Sequence, residues 1–219
     1  MEGMNCMEGR FDLLRKKGLI GDERDVPYNP AFLRSGYSNV MIHRYESVIK
    51  LCTNKVVLDA GCGLGWGVDI IRKKAAMVIG IDCDPGTIKF SGETYLYDNV
   101  LFQVMDLTHI TYQEGIFDVT LLMETLEHLT LDDGYKCISE IVRTLGPHGV
   151  IVGTTYISPT DRERRLHLQN SDNKDHLHIY TKYEMETLLS CFFYEHEIMG
   201  VTNFAAAFPK SSRERIIRK

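Results

Sequence analysis

The sequence predicts an α/β fold, a doubly wound and mostly parallel sheet with helices on both faces. Short, continuously apolar runs rich in β-branched residues alternate along the chain with segments of helical length. Three successive runs end in an acid, at Asp59, Asp82 and Asp106, and glycines at alternate positions follow the first of them. Strands that alternate with helices require right-handed crossovers. Ligands of such sheets bind beyond the carboxyl ends of the strands, where these acids are expected.

The elements follow from apolar periodicity and from residues typical of helix ends. Asp84-Pro85 is typical of a helix N-cap followed by proline at the first helical position. The polar stretch 157–175 has no strong period and is expected to be a surface loop or an inserted flap. Strands are predicted at 56–59, 77–82, 100–106, 117–123, 149–156, 192–199 and 203–208, and helices at 39–52, 68–74, 84–97, 132–145 and 181–190.

The length of 219 residues suits one domain with a substantial core. We expect an N-terminal lid or helical segment, a cofactor-binding core, a variable substrate flap, a C-terminal helix with strands, and a charged tail. These parts are assigned to residues 1–52, 53–156, 157–180, 181–208 and 209–219.

Composition excludes several classes of protein. A net charge of −5 provides no general attraction to nucleic acid or to an anionic membrane. No apolar run approaches the roughly 20 residues of a membrane span, and the N-terminus lacks the pattern of a signal peptide. The six cysteines form no CxxC pair, which favours reduced thiols in the cytoplasm and argues against a structural zinc site.

The glycine loop between the first predicted strand and the next helix contains Gly61, Gly63 and Gly65. A Walker phosphate loop is excluded because no Gly-Lys-Ser/Thr follows. The dinucleotide fingerprint GxGxxG also fails, since Trp66 stands where its third glycine is required. Asp82 lies about 20 residues beyond the loop, a spacing that suits the ribose of a dinucleotide or of another adenosine cofactor.

Four segments together resemble the ordered motifs of class I S-adenosylmethionine-dependent methyltransferases that act on small molecules. They are LDAGCGLGWG, IGIDCD, the MDL of residues 105–107 and FDVTLLMETLEHL, and the resemblance covers about residues 40 to 208. It implies a Rossmann-like, seven-stranded sheet with an antiparallel last strand, and S-adenosylmethionine as cofactor. It also implies that the loop from Gly61 to Gly65 wraps the methionine part of the cofactor. Asp82 would bind the ribose hydroxyls, and Asp106 with Leu107 would hold the adenine.

Further cofactor contacts are expected around the same strand ends. Asp59, at the tip of the first strand, is a partner for the cofactor's ammonium group, directly or through water. Cys62 and Cys83 fall in the expected ligand crevice, and Met123 ends the fourth strand. One acid alone is most simply a solvated turn residue or a helix cap. Three acids at corresponding strand ends favour a ligand site.

Glu124, His128 and His176 are the candidate catalytic residues, because methyl transfer to a hydroxyl or an amine needs a group that accepts a proton. An imidazole is suited to that task at neutral pH, although His128 is equally well explained as a histidine that holds the loop. The segment before the first strand resembles bacterial enzymes that methylate sugars, and Tyr37, His43 and Arg44 would then belong to the lid. Tyr45 is interpreted as a packing residue.

The same acceptor region has a second interpretation. Glu124, Glu127, His128 and His176 would suit a divalent metal and resemble the metal-dependent methyltransferases of small-RNA 3′-terminal ribose. The basic residues are interleaved with acids and are better explained as a solvated surface. The preferred hypothesis therefore includes no metal.

We thus expect a methyltransferase that uses S-adenosylmethionine and modifies oxygen or nitrogen of a small polar acceptor, such as a sugar or another metabolite. Two alternatives stay open at this point. One is the metal-dependent RNA ribose methyltransferase, and the other is a non-catalytic partner subunit that binds the cofactor.

Overall fold

A computed structural model of the chain describes residues 37–170, 175–199 and 204–209. The predicted lid before residue 37 and the charged tail after residue 209 lie outside the described residues. Within them the secondary structure alternates between strand and helix for most of the chain, as the sequence predicts.

The strands of the described residues form one large sheet and one two-stranded sheet. The large sheet contains β1 (Val56–Ala60), β2 (Met77–Asp82), β3 (Val100–Val104), β4 (Phe117–Met123), β5 (Leu145–Thr154), β8 (Phe193–Met199) and β9 (Phe204–Pro209), in the order β3-β2-β1-β4-β5-β9-β8. The first five strands in this order pair in parallel, and β9 is antiparallel to both neighbours. The predicted seven-stranded sheet with an antiparallel last strand is therefore confirmed. The small sheet pairs β6 (Ile157–Ser158) with β7 (Tyr180–Thr181).

Six α-helices connect or flank the strands within the described residues: α1 (Tyr37–Val48), α2 (Trp66–Ile71), α3 (Pro85–Thr94), α4 (Leu131–Thr144), α5 (Asp161–Asn170) and α6 (Lys182–Phe192). A 3₁₀ turn, Leu126–His128, follows β4. Asp84 caps α3 by accepting the Gly86 N–H at 2.8 Å, and Pro85 is the first helical residue, as expected.

Alternate residues of the strands enter two separate cores. On one face Val57 and Leu121 pack in a cluster that includes Trp66 of α2. On the other face Leu58 and Leu122 pack in a cluster with residues of α4 and α6. Both faces of the sheet are thus covered, which explains the continuous apolar runs of the strands. The strand order reverses between β1 and β4, and this reversal creates a crevice at their carboxyl ends.

Two sequence predictions about element boundaries are wrong. The strand predicted at 149–156 starts earlier, because β5 begins at Leu145 directly after α4 and Leu145 pairs with Phe117. Within the stretch 157–175, expected to be irregular, residues 161–170 form α5. Its polar sequence carries no helical period, and the helix is held instead by ion pairs of Arg164 with Asp161 and with Glu184 of α6, both shorter than 3 Å.

Candidate active site

A cavity of about 1020 Å³ opens at the carboxyl ends of β1, β2 and β4. The predicted residues that line it come from the glycine loop, the strand ends and the segment after β4. They are Gly61, Cys62, Gly63, Asp82, Cys83, Asp106, Leu107, Met123, Glu124, His128 and His176. The volume is at the upper end of the range typical of small-molecule sites.

The glycine loop holds a backbone conformation that ordinary side chains disfavour. Gly61, Gly63 and Gly65 have φ values of 81°, 52° and 78°. The N–H groups of Gly61 and Cys62 both donate to the Ile81 carbonyl, at 2.8 and 2.9 Å. A Cβ on Gly61 would lie 2.6 Å from the side chain of Thr125. The loop is therefore packed tightly against β2 and the segment after β4.

Asp59 lies beneath the loop and is fully buried. Its Oδ1 accepts a hydrogen bond of 3.3 Å from the Tyr45 hydroxyl, whereas its Oδ2 is buried and has no hydrogen-bond partner among the described residues. Burial raises the pKa of the Asp59 carboxyl to about 7, although the Tyr45 hydrogen bond lowers it. An unsatisfied buried carboxylate oxygen is a natural partner for a cationic ligand group.

The two following strand-end acids are held by backbone N–H groups. Asp82 is nearly buried and accepts from Gly63 at 3.1 Å and from Asp84 at 3.0 Å. Asp106 accepts from the backbone and the hydroxyl of Thr108, both at 2.8 Å. These bonds fix each carboxylate at the edge of the cavity.

Glu124 lines the cavity directly after β4 and begins the part of it that we call the acceptor side, after the role predicted for it from the sequence. It is one of two non-glycine residues with positive φ among the described residues, at 49°. Its Oε2 lies 3.3 Å from Arg44 Nη2 of α1, so the lid helix and the segment after β4 meet across the cavity. A positive φ in a glutamate is an uncommon, strained conformation of the kind that clusters at functional sites.

Glu127 is buried at the base of the acceptor side. Its Oε2 accepts the Thr155 hydroxyl at 2.8 Å. Burial, together with the nearby charge of Glu124, raises the pKa of Glu127 to about 7. Its backbone carbonyl accepts the N–H groups of Leu177 at 2.8 Å and of His178 at 3.2 Å. These two bonds join the segment 175–179 to the 3₁₀ turn.

That connection brings His176 against His128, with ring centroids 5.1 Å apart. His128 Nδ1 lies 3.1 Å from the Asp175 carbonyl oxygen. A carbonyl oxygen only accepts, so Nδ1 is the donor. Burial and the neighbouring His128 and His167 lower the pKa of His176. One ligand atom from each of Glu127, His128 and His176 lies within 4.8 Å of the others.

The placement differs from the sequence prediction at several residues. Asp59 and Gly65 do not line the cavity: Asp59 is buried below it and Gly65 is the N-cap of α2. Glu124 pairs with Arg44 and is outside the cluster of Glu127 and the two histidines. Tyr45 is more than a packing residue, because it lines the cavity and bonds Asp59.

Sequence reasoning also missed two residues of the cavity wall, Tyr156 and His167. Their rings stack with centroids 4.6 Å apart, and His167 belongs to α5. The local signal for this helix is Thr160 followed by Glu163, a spacing typical of a helix N-terminus, and the Glu163 N–H donates to the Thr160 hydroxyl at 3.2 Å. The role of Tyr45 could have been found by a chemical argument, because a buried tyrosine hydroxyl needs a hydrogen-bond partner.

The lining of the cavity is strongly acidic. Among the described residues it contains seven carboxylates and one guanidinium, that of Arg44, and no lysine. The carboxylates belong to Asp82, Asp84, Asp106, Glu124, Glu127, Asp133 and Asp175. Such a wall favours a ligand that carries positive charge and disfavours a pyrophosphate.

These residues fit S-adenosylmethionine. The unsatisfied Asp59 Oδ2 suits its ammonium, and Asp82 can accept from two ribose hydroxyls. Gly61 and Gly63 have positive φ and line the cavity, so their backbone can face the ligand without a side chain in between. A separate finding concerns membranes: none of the helices within the described residues has both the length and the apolar character of a membrane-spanning helix.

Comparison with known proteins agrees with this assignment. Residues 58–153 match the family described as methyltransferase domain. The chain is 32% identical over 111 residues to a probable S-adenosylmethionine-dependent methyltransferase of Mycolicibacterium smegmatis, which covers 51% of this chain and 42% of that protein. It is 29% identical over 160 residues to phosphoethanolamine N-methyltransferase of Plasmodium falciparum, covering 72% of this chain and 56% of that protein. It is 33% identical over 107 residues to the chloroplastic tocopherol O-methyltransferase of Arabidopsis thaliana, covering 47% of this chain and 30% of that protein.

Solved structures show the same fold. A Pyrococcus horikoshii protein matches with a TM-score of 0.65 at 18% identity, covering 83% of this chain and 93% of that one. The geranyl diphosphate C-methyltransferase of Streptomyces coelicolor, solved with S-adenosyl-L-homocysteine, matches with a TM-score of 0.61 at 15% identity, covering 83% and 71%. The chain spans about half the length, or less, of the sequence relatives described above. Residues 58–153 therefore match the methyltransferase-domain family, and over this central part the chain is similar to S-adenosylmethionine-dependent methyltransferases.

Proposed function

We propose that the protein transfers the methyl group of S-adenosylmethionine to oxygen or nitrogen of a small polar acceptor, such as a sugar or another metabolite. The observation that carries this proposal is the continuity of one cavity. The glycine loop with Asp82 and Asp106 lines one part of it, and Glu124, His128 and His176 line another. A cofactor and an acceptor bound in the two parts would lie side by side.

On this proposal the cofactor contacts are made by the glycine loop and the strand-end acids. Gly61, Cys62, Gly63 and Gly65 surround the methionine part, with Asp59 below its ammonium. Asp82 and Cys83 lie at the ribose. Asp106 and Leu107 lie at the adenine, where the carboxylate accepts from the amine and the backbone N–H donates to a ring nitrogen. Met123 forms the floor at the end of β4.

Bound S-adenosylmethionine supplies an electrophilic methyl group, whose bond to sulfur breaks with its electron pair remaining on sulfur as the acceptor's lone pair forms the new bond. The chain's own residues align the acceptor and exclude water. The proton of a hydroxyl or amine acceptor passes to one of the three candidate residues, Glu124, His128 or His176. Because His128 Nδ1 donates to the Asp175 carbonyl, its Nε2 carries the lone pair when the ring is neutral.

Two observations bear on an oxygen or nitrogen acceptor in a small molecule. Relatives of this chain are named for methyl transfer to nitrogen of phosphoethanolamine and to oxygen of tocopherol. The acceptor side is polar, and its walls include Tyr156 and His167. We therefore assign residues 157–180 the role of the substrate flap. The RNA-directed and non-catalytic alternatives gain no support from the comparisons.

The compartment is proposed on cysteine chemistry. Cys52, Cys62, Cys83, Cys137 and Cys191 are all unbridged thiols in the described residues. Unbridged thiols are typical of the reducing cytoplasm, where we place the protein.

Calorimetry with S-adenosylmethionine tests the cofactor assignment. The wild-type chain is expected to bind one equivalent, and Asp82→Ala is expected to weaken binding by about 10- to 100-fold, as the loss of a charged hydrogen bond predicts. Asp132→Ala is the matched control, because Asp132 is exposed and does not line the cavity. Absence of binding to the wild type, or equal affinity in Asp82→Ala, contradicts the assignment.

Transfer itself is tested with methyl-labelled S-adenosylmethionine and a fractionated extract of small metabolites. Label is expected in a low-molecular-mass product by mass spectrometry. Cofactor binding without label transfer to any fraction would favour the non-catalytic alternative, and label in RNA would favour the ribose methyltransferase.

A further inference from the structure

The acceptor side of the cavity contains a cluster with the chemistry of a metal site. Glu127, His128 and His176 each offer a ligand atom, and these atoms all lie within 4.8 Å of one another. All three residues line the cavity. One carboxylate and two imidazoles are ligands that first-row divalent ions of intermediate hardness prefer, such as Zn²⁺ or Co²⁺.

The first ligand, Glu127, is positioned by its neighbours and is almost completely buried, at 1% exposure. The Thr155 hydroxyl fixes Oε2 at 2.8 Å. Glu124, a second carboxylate that lines the same cavity, carries the same charge. A buried carboxylate beside a like charge is costly unless a cation compensates it. A metal ion is such a cation.

The second ligand, His128, is already oriented as metal-bound histidines are. Its Nδ1 donates to the Asp175 carbonyl at 3.1 Å, which directs the lone pair to Nε2. Histidines that bind metals almost always donate their other ring N–H to a carboxylate, a backbone carbonyl or water. The Asp175 carbonyl therefore orients the His128 ring in the way that such partners orient metal-bound histidines.

The third proposed ligand is His176, which has one buried ring nitrogen. Its Nδ1 has no hydrogen-bond partner among the described residues. The backbone bonds from Leu177 and His178 to the Glu127 carbonyl hold this histidine beside the other two ligands. An unsatisfied buried polar atom needs a partner, and a metal ion can be that partner because it accepts the lone pair of a neutral imidazole.

We propose that Glu127, His128 and His176 bind one divalent transition-metal ion, with its remaining coordination directed to the cavity. This departs from the metal-free hypothesis of the sequence analysis and reduces the predicted four-residue set to three, because Glu124 pairs with Arg44. Three protein ligands and an open position are typical of metal ions that act on a bound molecule. Because the ion would engage the lone pairs of His128 and His176, Glu124 is then the candidate that remains to accept the proton. That the acceptor occupies the open position rests on the proposed function, whereas binding of the ion does not.

Titration of the full chain with CoCl₂, followed by visible absorption, and with ZnCl₂ by calorimetry tests the proposal. One equivalent is expected for each metal, with a Co²⁺ absorption stronger than that of the hydrated ion. His176→Ala and Glu127→Gln are each expected to weaken binding by about 100-fold or more, since loss of a group that only orients a ligand costs about 10- to 100-fold. His178→Ala is the matched control. His178 is half-buried in the same segment, and its Nε2 lies 3.5 Å from Glu184.

These titrations distinguish a metal site at the three residues from its absence. Equal metal affinity in the wild type, His176→Ala and Glu127→Gln overturns the proposal, as does the absence of a one-equivalent transition in the wild type. Circular dichroism and thermal unfolding identify a variant that fails to fold, and the other variant then carries the comparison. S-Adenosylmethionine calorimetry on the same preparations keeps this result distinct from that of the proposed function.

Discussion

Tyr45 donates its hydroxyl hydrogen to Asp59 Oδ1 at 3.3 Å, and both side chains are buried. Tyr45 belongs to α1, and Asp59 lies near the end of the strand that leads into the glycine loop. The Tyr45 ring meets Trp66 edge-on, with centroids 4.9 Å apart. A Cβ on Gly67 would lie 2.2 Å from that ring. Helix α1 is therefore joined to the glycine loop by a hydrogen bond and by close packing.

Tyr45→Phe keeps the ring and removes the donor. We expect the free energy of unfolding to fall by about 1–3 kcal/mol, because the buried Asp59 carboxyl then loses its hydrogen-bond partner. The affinity for S-adenosylmethionine should fall as well, since this bond lowers the pKa of Asp59 and so favours its anionic form. Urea unfolding and calorimetry measure the two effects. Tyr183→Phe, at an exposed tyrosine, is the control and should change neither.

Asp59 should make stability depend on pH. Its pKa is about 7 in the folded chain and near the ordinary value of 3.8 when unfolded, so between these values the folded state binds more protons. Raising the pH through this window therefore lowers the free energy of unfolding, by at most about 1.4 kcal/mol per pH unit. Relative to Asp59→Asn, the wild type should lose on the order of 4 kcal/mol between about pH 4 and pH 7 and nothing further above it. Parallel profiles of the two proteins would contradict this assignment.

Three glycine-to-alanine variants, one of them in the glycine loop, should separate the cost of a positive φ from the cost of a steric clash. Gly61→Ala meets both a positive φ and contact with Thr125 at 2.6 Å, and should lower the free energy of unfolding by more than about 2 kcal/mol. Gly115→Ala meets the positive φ alone, with open space around it, and should cost about 1 kcal/mol.

Gly92 supplies the control for this series, because it lies inside α3 with nothing within 4 Å of the added Cβ. Gly92→Ala should raise the free energy of unfolding by about 0.5–1 kcal/mol, measured by urea unfolding as for the others. A destabilised Gly92→Ala, or a harmless Gly61→Ala, would show that the local packing differs from that described.

The backbone at Glu124 should store strain that a glycine releases. Glu124→Gly and Glu124→Ala both lose the ion pair with Arg44, but alanine retains the cost of φ at 49°. We expect the glycine variant to be about 1 kcal/mol more stable than the alanine variant by urea unfolding. Glycine and alanine variants at Ser139, an exposed position within α4, should show the opposite order.

Much of the fold was predictable because its causes are local. Continuous apolar runs marked the strands, and Asp84-Pro85 marked the start of α3. The boundary of α4 was harder, because Gly146-Pro147 is typical of a loop, while the pairing of Leu145 with Phe117 makes the strand begin earlier. Pairing across a sheet is a property of two segments and is invisible in one.

The candidate site divides in the same way. The sequence by itself determined where the glycine loop and the strand-end acids lie, because a positive φ requires glycine and the acids stand at the tips of successive strands. Only the tertiary structure decided the acceptor side. His176 meets His128 because the N–H groups of Leu177 and His178 bond the Glu127 carbonyl, far away in the sequence. Helix α5 likewise contacts α6 through the ion pair of Arg164 with Glu184. Such contacts depend on the free energy of a folded arrangement, which no local pattern of residues encodes.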